Sequence, residues 1–141
     1  MRIFATEILE TIKGKQVFEK LLVDGICLLD EFEKAIKDNP QYTSEFRTLF
    51  AYMNLVANGS LLPKTKFREI KGDKINTKRY EFKSEHLRVY VFNQPGGKMV
   101  VMGGYKNTQE ADIRQFNSIV KEFTSTTLTR KQNDTGRINP I

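Results

Sequence analysis

Tryptophan is absent from this chain of 141 residues, and cysteine and histidine occur once each. A lone Cys27 excludes an internal disulfide, and one thiol with one imidazole cannot assemble the four ligands of a structural zinc site. Cys27 lies between Ile26 and Leu28 and reads as a small buried hydrophobe rather than a nucleophile. No run approaches the ~20 apolar residues of a spanning helix. Acids interrupt the opening residues too early for a signal-peptide core. These absences together predict a cytoplasmic protein, away from the membrane, without a zinc site, and no cofactor is expected.

What is present is ordinary in amount and uneven in placement. At 39% hydrophobic and 28% charged residues the chain has a globular composition, and its length suits one domain. That domain is read as 1–124. From Ser125 on, Thr, Lys, Arg, Asn and Gly leave little to bury, which predicts a disordered polar and basic tail over 125–141. The net charge is +6, yet residues 64–106 hold eleven Lys and Arg against four acids. A cationic excess confined to one segment suits a polyanion-facing surface, and equally a solvated basic face.

The hydrophobic period changes along the chain. Arg2 to Ile8 fits a short strand or a helical turn, and Val17 to Val23 reads as a strand ended by Asp24-Gly25. Leu28, Phe32, Ala35 and Ile36 then give a helical stripe that Asn39-Pro40 stops. Ser44 is a cap for a second helix carrying Phe46, Leu49, Met53 and Val56, closed by Asn58-Gly59. After Pro63 come strands at Phe67–Ile70, Lys78–Lys83, Leu87–Phe92 and Met99–Met102. Asn107-Thr108-Gln109-Glu110 resembles a capping box and opens a helix with Ile113, Phe116, Val120 and Phe123 on one stripe. The expected fold is α+β: a small, curved, antiparallel-rich sheet, an N-terminal helical hairpin packed on one face, and a C-terminal helix. The other face is left to water.

Side chains alternate across a strand. Arg79, Glu81, Lys83, Arg88 and Tyr90 therefore fall together on the face away from the hairpin. Two arginines, a lysine and an aromatic on an open sheet form a cradle for RNA, by bidentate grips on phosphate and stacking on bases. A plainer reading pairs Glu81 with Arg88 across the hairpin, as sheets commonly do. Lys106 follows Gly103-Gly104-Tyr105 beside a helix start, where free N–H groups attract anions, so Tyr105, Lys106 and Asn107 are placed to complete a phosphate site. His86, in the turn before Leu87, is a candidate general base or acid.

Tyr80-Glu81-Phe82-Lys83, Leu87-Arg88-Val89-Tyr90 and Gly104-Tyr105-Lys106-Asn107-Thr108-Gln109 together resemble the RelE/HigB (ParE) superfamily of type II toxin–antitoxin toxins, in its phage-derived HigB-like branch. The resemblance spans about Val17 to Phe123 and implies a RelE-like fold. It implies metal-independent, ribosome-dependent endonucleolytic cleavage of mRNA, and a cognate antitoxin, often a helix-turn-helix protein, covering the basic surface. It assigns Arg88 to the phosphate or the transition state and matches Lys83 and Arg79 as basic residues of the neighbouring strand and Lys106 as the lysine after the last strand; with His86 from the turn, Lys83, Arg88, Lys106 and His86 are the catalytic candidates. Beside these, Arg79, Tyr90, Tyr105 and Arg68 are the candidate RNA contacts. The chain departs from many members in having no Tyr or His in the helix after Lys106. The alternative is a non-enzymatic binder of the same fold: a topoisomerase poison, or an RNA- or partner-binding protein.

Overall fold

The computed structural model describes the backbone of residues 1–138 and side chains through residue 126. Strands come first: β1 (Phe4–Ile8), β2 (Val17–Val23) and the two-residue β3 (Ile26–Cys27) precede α1 (Leu28–Ile36) and α2 (Pro40–Ala57). Then follow β4 (Phe67–Ile70), β5 (Arg79–Lys83), β6 (Leu87–Gln94), β7 (Gly97–Tyr105), a 3-10 turn at Lys106–Thr108 and α3 (Gln109–Ile138). The class is α+β, but the helical hairpin is not N-terminal as the sequence suggested. The ambiguous opening segment is extended because its backbone pairs residue for residue with β2, Phe4 opposite Val23 through Ile8 opposite Glu19.

The sheet is mixed and open, in the order β1-β2-β7-β6-β5-β4, with β3 paired to β2. β2 runs parallel to β7, and the remaining pairings are antiparallel. The parallel pair is the topological consequence of the hairpin: the chain leaves β2, crosses one face through α1 and α2, and returns by way of β4 to β7. Asn39, not Ser44, caps α2. Its side-chain oxygen accepts the Tyr42 N–H at 3.1 Å, and Pro40 opens the helix in the first turn, where no amide hydrogen is needed.

Two apolar layers result. On one face Leu29, Phe32 and Ile36 of α1 and Phe46, Leu49 and Met53 of α2 pack on Phe18, Phe82, Leu87, Val89 and Val91. On the other, Phe116, Ile119 and Val120 of α3 pack on Leu21, Tyr90, Phe92 and Val101. The second face, expected to be open to water, is therefore covered. The stripe on α3 explains why: a helix with that many apolar side chains gains more by burying them than by standing in solvent. Phe4 on Phe123 at 5.3 Å and Arg2 paired to Glu122 at 2.9 Å anchor β1 to the same helix. Cys27 is buried, as expected, and burial raises its thiol pKa. The tail expected over 125–141 falls mainly outside the described side chains, and 139–141 lie outside the described residues altogether. Among the described residues no helix is long and apolar enough to cross a membrane.

Candidate functional site

The alternation argument placed Arg79, Glu81, Lys83, Arg88 and Tyr90 on one face, and they share the face that α3 covers. Arg88 is 5% exposed, and its Nη1 donates to the carbonyls of Ser84 (2.7 Å) and Leu87 (2.8 Å). Its Nε lies 3.4 Å from Glu81 Oε1 without a hydrogen-bond alignment. Arg79 is 2% exposed; it donates to Asn117 of α3 and to the Gly72 carbonyl at 2.7 Å. Burial lowers its pKa. Tyr90 is fully buried with its ring 5.6 Å from Phe116, and burial pushes its phenol pKa up. Arg68 is exposed at the sheet edge and paired with Glu81, which also accepts from Gln109 Nε2 at 2.6 Å. Arg88, Arg68 and Gln109 gather at the buried Glu81 carboxylate while Arg79 is held by Asn117 and Gly72, and together they form a polar layer beneath α3 and not an open RNA cradle. The sequence misplaced the layer, not the face.

His86, Tyr105 and Lys106 do come together, elsewhere. With Tyr42 and Asn107 they line a groove of about 580 Å³ at the end of the sheet. Local chain features build it. Gly103 and Gly104 let β7 run close beneath its neighbours; a Cβ at Gly103 would enter the Phe32 ring, and one at Gly104 the Asp112 carboxylate. Tyr105 then emerges at the strand end with its ring 5.2 Å from Phe32 and 5.7 Å from Tyr42. The Lys106 N–H donates to the His86 carbonyl at 2.8 Å, which ties the end of β7 to the β5–β6 turn. The Tyr42 ring stands 5.7 Å from the imidazole.

Beneath the imidazole lies Glu45, a carboxylate on the buried side of α2 at 7% exposure. Its Oε2 is 2.6 Å from His86 Nδ1 and accepts Gln41 Nε2 at 2.9 Å. Its Oε1 accepts the His86 N–H at 2.8 Å and the Ser84 hydroxyl at 2.5 Å. Burial opposes ionisation of Glu45, but the bonds from His86, Ser84 and Gln41 outweigh it and bring the pKa down to about 2. The hydrogen bond to Glu45 in turn raises the pKa of His86, against weaker opposition from desolvation and, less, from Lys106. A carboxylate only accepts hydrogen bonds, so Nδ1 carries the proton and Nε2 is the nitrogen left for a ligand. Glu85 Oε1 is 3.9 Å from Nε2. The arrangement is an oriented imidazole on a buried anion, with a half-exposed ring facing a groove walled by two tyrosines and rimmed by a lysine.

Glu45, Glu85 and His86 also lie close enough together to share a cation. The four hydrogen bonds on Glu45 already use its lone pairs, so a cation would have to displace the imidazole or Ser84. Lys83, half-buried at the end of β5, adjoins the same turn without lining the groove. Sequence reasoning missed Tyr42 and Glu45. Their signal was an aromatic and an acid one helical turn apart, the acid directly beside the apolar stripe of α2. The fold and groove define an α+β protein with a surface acid–base pair. Compared with protein-family models, curated proteins and solved structures, the chain matches none.

Proposed function

We propose that the chain is the toxin of a type II toxin–antitoxin system, a metal-independent, ribosome-dependent mRNA endoribonuclease of RelE/HigB type, with His86 at its centre in place of Arg88. The observation that carries this reading is the Glu45–His86 pair presented in a groove with Tyr42, Tyr105 and Lys106. His86 Nε2 accepts the proton of an RNA 2′-hydroxyl, whose oxygen attacks the adjacent phosphorus. The bond to the 5′ oxygen breaks, leaving a 2′,3′-cyclic phosphate and a 5′-hydroxyl. Lys106 faces the charge that grows on the phosphoryl oxygens, and its ammonium is the donor for the leaving oxygen. Glu45 holds the imidazole in the productive tautomer and stabilises it once protonated. The protein would act in the cytoplasm and be held in check by an antitoxin, typically of helix-turn-helix type.

Expression in growing cells tests this. Growth arrest should be accompanied by new 5′-hydroxyl ends on translated mRNA, and His86→Ala should relieve both while the protein stays folded. A folded His86→Ala variant that arrests growth as strongly as the parent sinks the reading. A second reading, a non-enzymatic binder of the same class that poisons a topoisomerase or occupies RNA or a partner, is favoured by the burial of Arg79 and Arg88. Pulse labelling separates the two: early loss of protein synthesis supports the nuclease, and early loss of DNA synthesis the topoisomerase poison.

A further inference from the structure

We infer that a single strand of RNA crosses the end of the sheet over a line of lysines, Lys106, Lys83 and Lys66, with His86 within that line. The inference rests on the nuclease reading and supplies its substrate path. The topology lays out the line. Strands β7, β6, β5 and β4 are antiparallel neighbours, so the end of β7, the start of β6, the end of β5 and the start of β4 share one rim of the sheet. Lys106 follows β7, His86 precedes β6, Lys83 closes β5 and Lys66 precedes β4. Adjacent strands are about 4.8 Å apart, so the four chain ends span about 14 Å. Lys83 comes from the α3 side, whereas the Lys66 ammonium lies 5.4 Å above the Tyr52 ring on the hairpin side, so the path passes over the rim.

Two further observations favour a nucleic-acid strand. The ion pairs that lysines make among the described residues involve Lys20, Lys34 and Lys121, which leaves the three rim lysines without a carboxylate partner. Aromatic faces also alternate with these cations, Tyr105 and Tyr42 at the groove and Tyr52 beside Lys66. Cations that track a backbone, interleaved with rings that stack on bases, suit an unpaired strand of several nucleotides. The opposite rim has exposed Lys71, Lys74 and Lys78 and a groove of about 460 Å³ beside Lys74, but no imidazole, and serves as an internal control.

The test is binding of a fluorescent 2′-O-methyl single-stranded oligoribonucleotide of about 12 nucleotides to the full chain over a range of salt. The methyl group removes the attacking hydroxyl, so binding is read independently of cleavage. Lys66→Gln with Lys83→Gln should weaken binding about tenfold at low salt and lower the slope of log affinity against log salt by about 0.7 for each lysine removed. Lys71→Gln with Lys74→Gln should change affinity less than about twofold. Equal effects of the two pairs, equal affinity for duplex RNA, or no binding overturn the path. If the slope falls as expected but the unmodified oligonucleotide is never cut on or off the ribosome, the path stands and the nuclease reading falls.

Discussion

His86 and Arg88 are two residues apart, on either side of the first residue of β6, and live in opposite environments. Arg88 lies under α3, its Nη1 donating to two backbone carbonyls and its Nε close to a carboxylate that two other side chains also address. His86 stands at the rim, its ring half-exposed, with one nitrogen committed to a buried anion and the other to a groove. Both regions contain an acid with several hydrogen-bond partners. Glu81 serves packing, because its carboxylate is fully buried and the Arg88 beside it is walled off from any ligand. Glu45 serves presentation, because the group it holds faces outward. A charged residue points to chemistry only when something in solution can reach it, and in this molecule the more charged region is the less reachable one.

The contrast predicts that damage at Glu81 acts through stability and damage at Glu45 through titration. The largest effect is expected for Glu81→Ala. It leaves Arg88 buried without its nearby anion, and breaking such an arrangement costs about 3–5 kcal/mol, read by denaturant unfolding. A loss under about 1 kcal/mol would mean that the layer beneath α3 is open to water, and the comparison would collapse.

Next in size is the pH dependence of the groove. The folded pKa of Glu45 is about 2, against ~4.3 unfolded, so its contribution is complete above ~4.3 and lost as pH falls through 2. The folded pKa of His86 is raised, so its contribution is complete below the unfolded ~6.5 and lost as pH rises through the folded value. The pair therefore supports the fold most between about pH 4.3 and 6.5. Glu45→Gln should flatten both limbs of the Tm–pH profile and return the His86 titration toward ~6.5. With one histidine in the chain, its imidazole NMR signals follow this without overlap. An unshifted His86 in the parent protein would remove the argument for an oriented imidazole.

The smallest effect, about 1 kcal/mol, is expected for Ser84→Ala, which deletes one of the four hydrogen bonds on Glu45. It should lower the His86 titration midpoint only slightly. A shift as large as that of Glu45→Gln would make Ser84, not the carboxylate, the residue that holds the ring.

Much of the local structure was legible. The alternation of Arg79, Glu81 and Lys83 against Tyr80 and Phe82 assigned those side chains to the correct faces, and the stripe of Phe116, Val120 and Phe123 marked a helix that needed something to cover. Which face of the sheet that helix covers depends on the path of the chain after Lys106, and no residue of the hairpin records it. The Glu45–His86 pair was invisible for a related reason. The two residues are 41 positions apart, and a lone acid on an apolar stripe has no period of its own to announce a partner.

By itself the sequence determined most of the elements from Val17 on, because backbone preference and hydrophobic period act over a few neighbouring residues, while the opening segment was settled by its pairing with β2. It also determined the supply of chemistry: one imidazole, one thiol and a cationic middle segment. Only the tertiary structure decided which charges meet solvent. Exposure depends on which layer lies over a side chain, and that layer is contributed by residues far along the chain, through packing free energy that no local pattern encodes.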